Sequence, residues 1–146
     1  MHRMSDDLRP GVLSHGTLEI KNIQESIRFY RDFLLMRVIH HLPKACIIWL
    51  QEGWYIVCVE NANAREMPVL NHFGINVDSR EAVDRWHERA VREREQYGIA
   101  NITSPKVAHG SYQFYLKDRD NNWWEFQYDD SIFPKIRAVA GGETKA

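Results

Sequence analysis

Polar and apolar residues alternate with period two in "HGTLEI", where Leu18 and Ile20 take one face of a predicted strand and His15, Thr17 and Glu19 take the other. The period then changes. Ile23, Ile27, Tyr30 and Leu34 recur at helical spacing, and Asn22 with Glu25 three residues on makes a capping box that starts a helix. Strand patterns return at Met36 to His41, Lys44 to Leu50 and Trp54 to Glu60, punctuated by Pro43 and Gly53. A turn centred on Glu52 pairs Cys46 with Cys58 across the last hairpin.

The series then repeats. Set over "LNHFGINVDS" from Leu70, the stretch "LSHGTLEIKN" from Leu13 matches leucine to leucine, His15 to His72 and Ile20 to Val77, an offset of 57 (13 to 70). Arg28 falls on Arg85 and Phe29 on Trp86 at the same offset. The second copy predicts a strand with His72, Gly74 and Asn76 on one face, and a helix capped by Asp78 or Ser79 with Ala82, Trp86 and Ala90 as its stripe. "RERE" from Arg92 reads as a solvated face, and strands are expected over Ala100 to Val107, Gly110 to Lys117 and Asn122 to Tyr128. The expected fold is α+β, a single domain of two tandem βαβββ modules whose curved mixed sheets enclose a cleft. Module one spans about 12–60 and module two about 70–128, with a linker over 61–69 that contains "NANAREMP". A tail over 129–146 follows, small and polar, with order expected to fail in roughly its last six to eight residues.

Composition narrows the chemistry. A net charge of -1 lacks the basic excess that phosphate backbones require, so no nucleic-acid partner is expected. No apolar run nears the roughly 20 residues of a membrane span, and "MHRMSDDLRPG" has no apolar segment of the signal-peptide kind, so a soluble cytoplasmic protein is expected. Two cysteines are too few for a disulfide framework and are expected to stay reduced.

If "KDRDNN" turns the last hairpin, Tyr115 lies opposite Glu125 on one face, while Trp124, Phe126 and Tyr128 take the other. A carboxylate in so aromatic a strand is costly unless water or a cation meets it. Two histidines at equivalent strand positions and one glutamate form the set that binds Fe(II), Mn(II), Ni(II) or Zn(II) while leaving positions open for substrate. The same three residues also fit a plainer reading, with hydrogen-bonded strand histidines and a surface glutamate. The repeat favours the metal, because paired modules bring equivalent positions together.

The paired modules, "SIRFYRDFLLMRV" after the first strand and "FYLKDRDNNWWEF" near the end together resemble the vicinal oxygen chelate superfamily over Leu13 to Tyr128. That superfamily includes glyoxalase I, fosfomycin resistance enzymes, bleomycin-binding proteins and extradiol dioxygenases. The resemblance implies metal ligands at His15, His72 and Glu125, with Fe(II) or Mn(II) favoured over Zn(II) or Ni(II). The fourth ligand position of the superfamily falls on Ile56 when "WYIVC" is set over "WWEFQ", which leaves the three-ligand members. "VAHGSYQFYLKDRDNNWWE" is similar to the extradiol dioxygenases and implies a metal-dependent oxidation of a catechol-like aromatic. On that likeness Tyr115 and His109 are catalytic; Thr17, Trp54 and Gln113 are the expected substrate contacts. Departures from that pattern are Arg119 and Asn121 in the turn, a shorter gap from His109 to Tyr115, and Trp54 or Tyr55 where module one would carry an acid–base histidine.

Fosfomycin-type transferases share the interval between the histidines and match Thr17 and Tyr115, but "SIFPK" and "TSPKVAHGS" depart from their basic residue and potassium loop. The superfamily likeness also admits a glyoxalase-type lyase and a metal-free drug-sequestering protein. The expected partners are a small-molecule substrate and a second copy of the chain. In a module-swapped homodimer, His15 of one chain would meet His72 and Glu125 of the other.

Overall fold

A computed structural model describes residues 8–143. The chain forms two compact units, Met1–Ala62 and Asn63–Ala146. In the first, β1 (His15–Ile20) leads into α1 (Ile23–Arg28), which continues as a π-helical turn (Phe29–Phe33) before β2 (Arg37–Leu42), β3 (Ala45–Trp49) and β4 (Tyr55–Glu60). The second runs through β5 (His72–Asn76), α2 (Arg80–Arg92), α3 (Arg94–Tyr97), β6 (Asn101–Ile102), β7 (Lys106–Ala108), β8 (Ser111–Lys117), β9 (Trp123–Tyr128) and α4 (Ile132–Glu143).

In the first unit the strand order is β1-β4-β3-β2, with β1 and β4 parallel and the other pairs antiparallel. The expected cap is present, since the Glu25 amide donates to Asn22 Oδ1 at 3.1 Å. The predicted stripe of Ile23, Ile27, Tyr30 and Leu34 is buried. Strand alternation then sorts the sheet into two faces. Leu18, Ile20, Cys46, Ile48, Ile56 and Cys58 form the buried face, and burying each large aliphatic side chain stabilises the unit by about 1.5–3 kcal/mol. Cys46 pairs with Cys58 in the β3–β4 register, as the turn on Glu52 predicts, and both are free thiols. His15, Thr17, Trp49, Ile47, Tyr55 and Val57 are left on the open face.

The second unit orders its sheet β5-β9-β8-β6, with β7 also on β8. Ser79 caps α2 by accepting from the Ala82 amide at 3.1 Å. The single strand expected over Ala100 to Val107 is two short ones. Pro105 has no N–H to give the ladder, and the register slips by one residue, from Ile102 opposite Leu116 to Lys106 opposite Gln113. Thr103 bridges the slip: its amide donates to the Tyr115 carbonyl at 2.9 Å and its hydroxyl accepts the Tyr115 amide at 2.8 Å. The β7–β8 hairpin closes through His109 and Gly110, at φ 54° and 82°, as a two-residue turn with both residues left-handed.

Two other expectations change. "NANAREMP" is more than a linker, because its second half is fastened to the β8–β9 turn. The Met67 amide donates to the Asn121 carbonyl at 3.2 Å, Asn121 Nδ2 to the Ala64 carbonyl at 3.3 Å, and Trp123 Nε1 to the Met67 carbonyl at 2.9 Å. The tail is helical through Glu143, started by Asp129, whose carboxylate accepts the amides of Ser131 and Ile132. Residues 1–7 and 144–146, where the signal-peptide reading begins and the unordered tail ends, lie outside the described residues.

The β8–β9 turn is built around Asp118, which is fully buried. Its Oδ1 accepts the amides of Asp120 at 2.8 Å and Asn122 at 3.0 Å, and its Oδ2 accepts Trp124 Nε1 at 2.8 Å. Burial and the adjacent Asp120 carboxylate push the Asp118 carboxyl up to about 7, against the pull of those three donors. Asp118→Ala should cost about 3 kcal/mol, since it leaves buried donors unpaired. Between about pH 4 and 7 the folded chain keeps a proton that the unfolded chain has released, so this group makes stability fall as pH rises through that window. Urea unfolding at pH 4.5 and 7.5 should show that fall in the wild type relative to Asp118→Ala, and equal pH slopes in the two proteins would contradict it.

Candidate metal site

His72 opens β5, and its Nδ1 lies 2.6 Å from the Val69 carbonyl oxygen. A carbonyl only accepts, so Nδ1 carries the proton. The other ring nitrogen, Nε2, stands 2.9 Å from Oε2 of Glu125, a carboxylate 7% exposed. A neutral imidazole protonated on Nδ1 points a lone pair from Nε2 at an acceptor that has only lone pairs to offer. A cation resolves the contact, and either a second proton on the ring or a metal ion serves. Two ligands about 2.1 Å from a metal on adjacent vertices are themselves about 3 Å apart, so the observed spacing suits a shared ion. The residues present fit the group that the superfamily likeness implies.

The surroundings hold this pair in place. Gly74 sits beside Glu125 in the parallel β5–β9 register, and a Cβ there would come to 3.6 Å from Oε2, so glycine leaves that side of the carboxylate clear. Tyr115 is opposite Glu125, as the turn over "KDRDNN" predicts. Its ring meets His72 edge-on at 5.0 Å. Burial, and after it the Glu125 charge, raises its hydroxyl above the ordinary tyrosine range.

In the first unit His15 heads β1 on the open face, its Nδ1 2.7 Å from Ser14 Oγ and its ring stacked on Tyr55 at 5.2 Å. Thr17 follows on the same face, exposed. Ile39, Ile47, Trp49, Trp54 and Tyr55 line a groove of about 280 Å³, together with Gln51, Glu52 and Gly53 and without a lysine or arginine. His109 is at the exposed tip of the β7–β8 turn. Within either unit, no three His, Cys, Asp or Glu side chains among the described residues gather closely enough to hold a metal.

Residues 12–126 match the Glyoxalase/Bleomycin resistance protein/Dioxygenase superfamily. The chain belongs to that superfamily. An uncharacterized protein of Pseudomonas aeruginosa is 29% identical over 139 residues, covering 88% of this chain and 96% of its own. The fosfomycin resistance protein FosX of Listeria monocytogenes, solved with Mn(II) and sulfate, shares 22% identity over 84% of this chain and 94% of its own, with a TM-score of 0.67. A lactoylglutathione lyase of Agrobacterium tumefaciens reaches 0.60 at 19% identity, covering 83% and 96%.

The sheet registers locate the superfamily's fourth ligand position more firmly than the sequence match does. His72 pairs with Trp123 and Glu125 lies two residues further on; His15 pairs with Tyr55, and two residues further is Val57. Ile56 is therefore not the equivalent, and it is buried on the opposite face. Valine ligates no better than isoleucine, so the conclusion that this position is empty of a donor stands. Residues that the pattern alone did not single out are Ser14, Thr103, Ser111 and the Val69 carbonyl. Of these, only Ser111 carried a signal, as the first member of a period-two series that ends in Tyr115. The proton placement at His72 is checkable: a long-range ¹H–¹⁵N spectrum of metal-free protein should show Nδ1 protonated, and an unprotonated Nδ1 would contradict the geometry.

Proposed function

We propose that the protein is a metal-dependent enzyme in which His72 and Glu125, joined by His15, bind a divalent ion. The observation that carries this reading is the 2.9 Å approach of His72 Nε2 to Glu125 with the ring proton committed to Val69. The Mn(II) in the Listeria FosX structure supports Mn(II) as well as Fe(II). A bound ion would supply Lewis acidity toward two neighbouring substrate oxygens and, as iron, a conduit for electrons from the substrate to dioxygen.

For the reaction, an extradiol-type oxidation of a catechol-like aromatic is favoured by the groove on the first sheet. Its aromatic and aliphatic lining suits an uncharged ring, whereas a phosphonate would need cations that the groove lacks. Trp54, which lines it, and Thr17, on the same open face of the sheet, are the proposed substrate contacts. Tyr115, opposite Glu125 and edge-on to His72, is the proposed donor to a substrate oxygen, and His109, exposed at its turn, is the proposed acid–base group. The FosX and lyase likenesses keep transfer or lyase chemistry as the second reading.

Protein purified without chelator should hold metal, and His72→Ala should lower its affinity by more than about tenfold, since even outer-shell losses cost that much. Unchanged metal content in that variant would end the metal reading. Fe(II)-loaded protein should consume dioxygen with catechols and yield a ring-opened product. Turnover of fosfomycin without dioxygen uptake would select the second reading, and tight binding of a drug by metal-free protein would select sequestration. A homodimer belongs to the same reading, and light scattering checks it: a monomer would remove the module-swapped arrangement.

A further inference from the structure

Lys117 ends β8 on the face that carries Tyr115, two residues further along the strand. Trp123 is the register partner of His72 on one side and of Lys117 on the other, so the three side chains share one rung and one face of the sheet. Strands lie about 4.8 Å apart, which puts the Lys117 backbone about 10 Å from that of His72, with an indole between them. The opposite direction along β8 is closed. Gln113, expected from the superfamily likeness to touch substrate, is 3% exposed, accepts from Ser111 Oγ at 2.8 Å and donates to the Tyr115 oxygen at 3.2 Å.

The Lys117 side chain is 13% exposed and its ammonium pairs with Glu66, whose own side chain is 74% exposed. That asymmetry sets the cost of parting them. An ammonium so far from water needs a counter-ion, whereas an exposed carboxylate returns to water at little cost. The backbone around Glu66 is held without the pair, because Ala64 and Met67 are fastened to Asn121 and Trp123. The Glu66 side chain can therefore swing out while the arm stays in place.

We propose that Lys117 is a specificity-determining residue that takes the carboxylate of an aromatic acid, with Glu66 holding the ammonium until that substrate displaces it. The aromatic part rests on the catechol reading above; the anion exchange at Lys117 does not. Exchanging one carboxylate for another is close to neutral, so the ligand that brings further contacts wins. Trp123 offers such contacts to a ring that reaches from the His72 side toward Lys117. One compact ammonium balances one carboxylate, while a phosphonate dianion calls for a second cation.

Calorimetry on the full chain tests this. Mn(II)-loaded wild type should bind 3,4-dihydroxybenzoate about tenfold more tightly than catechol, and Lys117→Met should bring that ratio to about one. Glu66→Gln should tighten 3,4-dihydroxybenzoate about two- to fivefold, since the competing carboxylate is gone. A pair that only clips the arm to the sheet would instead lose stability in Glu66→Gln with no gain in binding, and that result would overturn the proposal. So would fosfomycin bound through Lys117 in preference to the aromatic acid. Should Lys117→Met not fold, Glu66→Gln decides alone. In metal-free protein, millimolar benzoate should still shift the Lys117 side-chain and Trp123 indole N–H resonances, more strongly in Glu66→Gln; no shift in either protein would overturn the anion exchange. A wild type that binds no Mn(II) would remove the metal reading, and the benzoate titration would then decide the role of Lys117.

Discussion

The contact on which the site depends is His72 Nε2 against Glu125 Oε2. One nitrogen of the ring is committed as a donor to the Val69 carbonyl, so the other has nothing to offer a carboxylate unless positive charge stands with it. A carboxylate 7% exposed is costly without such a partner, and the neighbouring residues enclose it. Tyr115 lies opposite it with its ring edge-on to His72, Gln113 donates to the Tyr115 hydroxyl oxygen, and Gly74 leaves the side beside Oε2 clear.

That arrangement is possible because each sheet keeps its chemistry and its core on opposite faces. In the second unit, Trp124, Phe126, Phe114 and Leu116 are buried on one side, and the intervening residues Glu125, Tyr115 and Gln113 lie on the other. A one-residue slip would exchange the two sets, so register is the quantity that must be held. The Asp118 turn holds it at one end of the β8–β9 hairpin, and Thr103 holds Tyr115 across the point where β8 changes neighbour.

What could be read in the sequence follows the same logic. The pairs Cys46 with Cys58 and Tyr115 with Glu125 were legible because each hairpin has an unambiguous turn, and the turn centre alone determines which residues face one another. The equivalence of Ile56 with Glu125 failed because it rested on matching tryptophans: Trp54 precedes β4, whereas Trp123 opens β9, and the true register is one residue later. The broken strand at Thr103 to Pro105 was hidden because a β-branched residue and a proline each suit an edge strand locally. The helical tail was missed for its glycines, although Asp129 and the spacing of Ile132, Ile136 and Val139 signalled a capped helix. His15 and His72 were found by repetition. The need for a cation beside His72 was not legible, because it depends on which ring nitrogen carries the proton, and that is set by a backbone carbonyl.

The most direct measurement is anomalous diffraction from crystals soaked in Mn(II). The account predicts an anomalous peak within bonding distance of both His72 Nε2 and Glu125, with Nδ1 still donating to Val69. An unmodified His72–Glu125 ion pair at saturating Mn(II), with no peak beside it, would show that the cation the contact requires is only a proton.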